Sequence, residues 1–154
     1  MMTTLRARLR DDRGIVGGAD ILLFGFVGVV FTSLVIMNVW FAVDTSLAVS
    51  AAAREGARTF VESEQGSASG DAQAAMANVM GQYGLDNPAN MTNTVAVRDG
   101  AGFERCALVT STAEYRINLL SVPLFGTFGS HTITAQHTEI IDPFRSGNFM
   151  GECG

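Results

Sequence analysis

The chain has 154 residues, of which 47% are hydrophobic, and its 15 acidic against 10 basic residues give a formal net charge of −5. A chain of that length holds one modest domain. Its basic residues form no patch beyond the first twenty positions, which argues against nucleic acid as a partner.

Residues 1–20 are an arginine-rich leader, and an apolar run follows them. Ile21 to Val43 is 23 residues without a charge. As a helix of about 35 Å, this run is long enough to cross a hydrocarbon core of about 30 Å. Four arginines precede the run and the next basic residue is Arg54, so the positive-inside bias places the N-terminus in the cytoplasm. The sequence therefore predicts a single-pass protein of the inner (cytoplasmic) membrane, with its C-terminal domain outside.

A cleavable secretory signal is the competing interpretation of this run. Ser46 to Ala53 (SLAVSAAA) contains the small residues that a cleavage site requires. However, the apolar segment of a secretory signal usually has about 7 to 15 residues. The run found here is longer than that and begins only at residue 21. It therefore favours a transmembrane helix over residues 21–43 that is not cleaved from the protein.

Residues 44–64 are predicted to extend the same helix beyond the membrane. The segment is rich in alanine and has no proline, so helix propensity favours one continuous helix from Ala19 to about Glu64. Small residues recur along it at helical spacing, and such a face lets helices approach closely. The candidate packing positions are Gly25, Gly28, Ser46, Ala53 and Gly56. The alternative is that these are simply residues that favour a helix.

Residues 65–154 are predicted to form a small α+β domain. After a flexible break at Gln65 to Gly70, Asp71 is positioned to cap a second helix over Ala72 to Tyr83, and Gly84 is positioned to end it. The apolar positions of this helix, including two methionines, have the spacing of a buried face.

Three strands follow, and they predict an antiparallel sheet packed against both helices. Their predicted ranges are 94–98, 106–119 and 132–141. Asp99 to Gly102 is expected to form a hairpin turn between the first two strands. The apolar stretch Leu119 to Gly129 is expected to be a loop buried against the long helix, the alternatives being contact with a partner subunit or with lipid headgroups.

The sequence contains little that points to catalysis. His131 and His137 share one strand face, but no nucleophile, metalloprotease or paired-carboxylate motif accompanies them. We therefore expect no enzyme activity, no catalytic residues, no cofactor and no metal site. Cys106 and Cys153 are compatible with one disulfide in an oxidising compartment, or with two free thiols.

Several segments of the chain resemble the TadE-like pseudopilins of the tight-adherence (Tad/Flp) type IV pilus system. Asp12 to Gly14 (DRG) precedes the apolar span, and Ala51 to Arg58 (AAAREGAR), the most distinctive match, follows it. The C-terminal half is also similar, with Val122 to Gly126 (VPLFG), the strand ITAQHTE, and Asp142 to Gly147 (DPFRSG).

The resemblance implies a pilin-like minor pilin or pseudopilin whose partners are the membrane, other pilin-like subunits and the pilus assembly platform, in a hetero-oligomer. Gly14 is then the candidate prepilin-peptidase site, and Asp20 the candidate charge that pairs with a neighbour's new N-terminal amine. A cut after Gly14 makes Asp20 the sixth residue, whereas the family has a glutamate at the fifth. Asp20 as a simple helix cap stays open, and so does the alternative function of a membrane-tethered binding domain unrelated to pili.

Overall fold

The computed structural model describes residues 13–98, 102–122 and 126–144. In chain order its elements are helix α1 (Arg13–Glu62), helix α2 (Ala68–Gln82), a short 3-10 turn (Pro88–Asn90), and strands β1 (Met91–Val97), β2 (Leu108–Val122) and β3 (Gly126–Ile140). The predicted order of a long N-terminal helix, a second helix and a three-stranded antiparallel sheet is confirmed.

Helix α1 is continuous over 50 residues, which confirms that the helix continues beyond the apolar run. The chain divides into two compact units, Met1–Val39 and Trp40–Gly154. The second unit contains the remainder of α1, together with α2 and the sheet.

Helix α2 begins earlier than the sequence predicts, because Ala68 is buried and its N–H donates to the Glu64 carbonyl. Asp71 therefore lies in the first turn rather than at the cap. The helix ends at Gln82, and Gly84 follows the cap residue Tyr83 with a φ of 75°, which suits the glycine predicted to end the helix. There the N–H of Leu85 donates to the Met80 carbonyl, and both side chains are buried in one cluster.

The sheet has the order β1-β2-β3, with both pairs antiparallel. The alternation predicted for β2 is confirmed, because its odd-numbered residues from Val109 to Ile117 are buried. The opposite face of the sheet is rich in threonine, and the Thr110 and Thr138 hydroxyls lie 2.9 Å apart on it.

The core consists of two clusters. The proximal cluster contains Ala48, Val49, Ala52, Ala53, Met76, Met80, Leu85, Ala113, Tyr115 and Ile117. The distal cluster contains Phe60, Ala68, Ala72, Phe103, Val109 and Ile141. The methionines of α2 are thus core residues, as their spacing predicts.

The prediction of a buried loop at Leu119 to Gly129 is wrong. Strand β2 continues to Val122 and β3 begins at Gly126, with Leu120 paired to Phe128. Backbone pairing of this kind satisfies N–H and C=O groups that an irregular buried loop would leave without partners. Leu119 and Phe128 are 55% and 53% exposed, so the described ends of β2 and β3 form an exposed hairpin end; residues 123–125 between them lie outside the described residues.

The connection between β1 and β2 is also longer than a hairpin turn, because Val97 pairs with Val109. Phe103, within that connection, is buried, with its ring centroid 5.4 Å from that of Phe60. Burial of this aromatic ring anchors the connection to α1, which a glycine-rich turn alone would not do. Asp99 to Ala101 lie outside the described residues.

Candidate functional site

The first half of α1 presents apolar side chains that no other described residue covers. Leu22, Phe24, Phe26 and Trp40 are each about 70% exposed or more, and the other large residues of this stretch are also exposed except Leu34, which is half-buried. This helix, which lies near the N-terminus, contains a stretch long and apolar enough to cross a membrane. A continuous exposed apolar surface of this size is typical of contact with lipid or with other helices.

Three polar side chains of α1 donate hydrogen bonds to backbone carbonyls one turn earlier in the same helix. The Ser33 hydroxyl donates to the Val29 carbonyl at 2.9 Å, and the Asn38 amide donates to the Leu34 carbonyl at 2.7 Å. Thr45, at the end of the apolar run, donates to the Phe41 carbonyl at 2.8 Å. Local bonds of this kind remove the cost of placing a polar group in hydrocarbon.

Two glycines of the apolar half, Gly25 and Gly28, have open space beside them. A Cβ added at either position would meet no atom of the described residues within 4 Å. Nothing in the described part of the chain therefore requires glycine at these two positions, and both remain available to another helix. Asp20, near the start of the run, is exposed.

Gly14, the predicted processing position, is the second residue of α1. The leader before Arg13 lies outside the described residues. The processing role of Gly14 therefore stays a prediction from the sequence resemblance.

The second half of α1 uses its small residues differently, and this corrects the predicted packing face. Ala53 is 1% exposed, and a Cβ on Gly56 would lie 2.5 Å from Met76 Cγ and 2.6 Å from Ser111 Oγ. These two residues pack inside their own domain and leave no surface for a neighbouring helix. Ser46 remains exposed.

The segment that carries the family resemblance shows the same division. Gly56 and Ala57 face the core, whereas Arg54 and Arg58 point to solvent. Arg58 donates to Glu62 at 3.0 Å, one turn further along the helix, and this hydrogen bond raises the pKa of the arginine. The pair is exposed and contributes little to stability.

The histidines of β3 do not form a shared site. His131 and His137 lie on one face, as predicted, but six residues of strand separate them by about 20 Å. His137 Nε2 lies 3.4 Å from Glu139 Oε1. Among the residues that the structure describes, no cluster of three or more potential metal ligands occurs.

Cys106 is disulfide-bonded. The only other cysteine of the chain is Cys153, which lies outside the described residues, so the pairing of these two stays a prediction. Cys106 has a φ of 63°, and its N–H donates to the Ile141 carbonyl, where the start of β2 meets the end of β3.

Comparison with known proteins gives no match. No protein-family model, no curated protein and no solved structure is similar to this chain.

Proposed function

We propose that this protein is a minor pilin or pseudopilin of a Tad-type pilus or secretion assembly, acting as a structural subunit and not as an enzyme. In this proposal the first half of α1 crosses the inner membrane with its N-terminus in the cytoplasm. The α+β domain lies outside, and α1 packs among the helices of other pilin-like subunits and the assembly platform.

The observation that carries the proposal is the contrast between the two halves of α1. From Ala42 onward one face of the helix packs in the core of a small domain, whereas the first half is mostly exposed and apolar, with the side chains of Ser33 and Asn38 bonded to the helix backbone. One half of the helix packs in the soluble domain and the other half is an exposed apolar segment. This arrangement suits a subunit that assembles through its membrane segment.

Gly25 and Gly28 are the contact positions that we propose within the membrane. Since no atom of the described residues would lie within 4 Å of a Cβ at either position, close approach of a second helix explains their small size. The sequence resemblance at Asp12 to Gly14 and at Ala51 to Arg58 supports pilin-like subunits as the source of that helix.

Cross-linking in membranes tests this proposal. With a photoreactive residue in place of Leu22, we expect cross-links to co-expressed pilin-like subunits. Gly28→Leu should weaken these cross-links because a bulky side chain separates the two helix backbones. Val30→Leu, on the opposite face of the same helix, is the matched control and should leave them unchanged.

Equal cross-linking in both variants would contradict a role for this glycine face. If cross-links to an external protein are instead lost only when Leu119 and Phe128 are replaced by serine, the membrane-tethered binding domain is the better function. The exposed hairpin end is the observation that favours that alternative.

A further inference from the structure

We propose that the end of the β2–β3 hairpin is a second membrane contact, which inserts Leu119 and Phe128 into the outer headgroup layer of the membrane that α1 crosses. This inference rests on the membrane span of the proposed function, and it adds an interaction surface and a partner, the lipid surface, to a different part of the chain.

The hairpin end is apolar on both faces. Leu119 shares a face with the buried residues Tyr115 and Ile117, and it lies over Gly129, whose added Cβ would be 3.2 Å from Leu119 Cδ1. Phe128 pairs with Leu120 and so lies on the opposite face. Both side chains are more than half exposed. A single protein surface covers one face of a hairpin, whereas a lipid layer surrounds both.

The order of the core clusters gives the direction in which the hairpin points. Val109 of β2 packs in the distal cluster with Phe60, and Ile117 packs in the proximal cluster with Ala48. From Val109 to Ile117, therefore, β2 runs toward the N-terminal end of α1 within the second unit. Its continuation beyond Ile117 points toward Trp40, the first residue of α1 in the second unit.

The distance along this direction matches the edge of the apolar run. Leu119 lies two residues beyond Ile117, and Phe128 lies opposite the third, which is about 7 to 10 Å of strand. Ile117 and Ala48 belong to the same cluster. If the two are taken as level, the same rise along α1 is about five to seven residues and ends between Phe41 and Val43. Ala42 packs against the proximal cluster, which supports this level.

The chemistry of the hairpin also suits a headgroup layer. No charged residue occurs from Ile117 to Ser130. The first charge on β2 before the end is Arg116, which is exposed and donates to Ser130 Oγ at 2.9 Å. An arginine behind an apolar end can reach lipid phosphates while the apolar side chains enter the acyl boundary.

Depth-dependent fluorescence quenching tests the contact in the full chain. Trp40 is the only tryptophan, so a Trp40→Phe, Phe128→Trp double variant carries one reporter at the hairpin end. In phosphatidylcholine vesicles we expect strong quenching of this reporter by lipids brominated near the headgroup end of the acyl chain, and weak quenching by lipids brominated near the methyl end. The matched control, Trp40→Phe with Gln136→Trp, places the reporter on the same face of β3, where we expect no quenching.

The outcomes separate this inference from the proposed function. If Trp40 of the unmodified chain is quenched but the hairpin reporter is not, the hairpin contact is overturned and the membrane span stands. If Trp40 itself is not quenched, the span fails. Equal quenching of the hairpin and Gln136→Trp reporters would also overturn the inference. Leu119→Trp in the Trp40→Phe background replaces the Phe128 variant if that variant does not fold.

Discussion

Gly56 lies where α1, α2 and β2 pack closely against one another. It lies on the buried face of α1, against Met76 of α2 and Ser111 of β2, and these two side chains also contact each other, with the Ser111 hydroxyl 3.1 Å from Met76 Sδ. A methyl group at Gly56 would lie closer than 3 Å to both. Helix α1, helix α2 and strand β2 therefore meet at Gly56, and this close contact requires glycine.

Gly56→Ala should destabilise the domain. Alanine gains about 0.5 to 1 kcal/mol over glycine inside a helix, but overpacking in a closed core costs typically about 1 to 3 kcal/mol. Because Met76 and Ser111 are fully buried, we expect a net loss of about 1 to 2 kcal/mol in the free energy of unfolding. Chemical denaturation of the full chain in detergent measures it.

Gly70→Ala is the matched control, because Gly70 is also helical and a Cβ there would meet no atom within 4 Å. This substitution should leave stability unchanged or raise it by up to about 1 kcal/mol. A Gly56→Ala protein as stable as wild type would show that Met76 and Ser111 move aside without cost.

Gly14 and Asp20 are the residues that distinguish a processed pilin from a simple membrane anchor. With a co-expressed prepilin peptidase, we expect N-terminal sequencing to find a new terminus at Ile15, and Gly14→Leu to abolish it. An intact N-terminus in the wild-type chain would exclude cleavage at Gly14.

Asp20→Ala tests the proposed assembly charge. An ionised group at the edge of a span needs a compensating partner, such as a neighbour's amine. The variant should still insert into the membrane, since it removes a charge, yet should co-purify less with pilus components. Normal pilus formation by this variant would contradict a pairing role.

At the scale of elements, periodicity predicts the order and type of the helices and strands but not where each of them begins and ends. The alternation in β2 and the spacing in α2 were sufficient because each element buries one face. The hairpin end differs from the buried loop that the sequence predicts. Apolar residues indicate that a surface is covered, but they do not indicate whether the chain itself or another molecule covers it. In the same way, the small stripe of α1 indicates close packing, but only the fold shows that Ala53 and Gly56 meet their own domain.

The disulfide at Cys106 is expected to stabilise the start of β2. If its partner is Cys153, the bond closes a loop of about 48 residues and contributes about 3 to 4 kcal/mol to the free energy of unfolding. Cys153→Ser should therefore lower the stability by that amount under oxidising conditions and cause no loss under reducing conditions. Peptide mapping without reduction that finds both thiols free would contradict the pairing.

At the scale of the whole molecule, the main feature is that the first half of α1 is mostly exposed and apolar, whereas its second half packs in the core of a domain. Most of residues 21–43 are apolar and exposed, and from Ala42 onward α1 contributes to the core of the second unit. The arginines before the span predict which end stays in the cytoplasm. Both the pilin-like function and the hairpin contact require that the span is retained and that the domain lies outside.

Reporter fusions after Gly154 test that requirement most directly. We expect an alkaline phosphatase fusion to be active, a green fluorescent protein fusion exported through the same pathway to be dark, and the full-length chain to resist carbonate extraction from membranes. A fluorescent C-terminal fusion without phosphatase activity would contradict the orientation. Release of a shortened chain, cleaved between Ser46 and Ala53, would contradict the retained span.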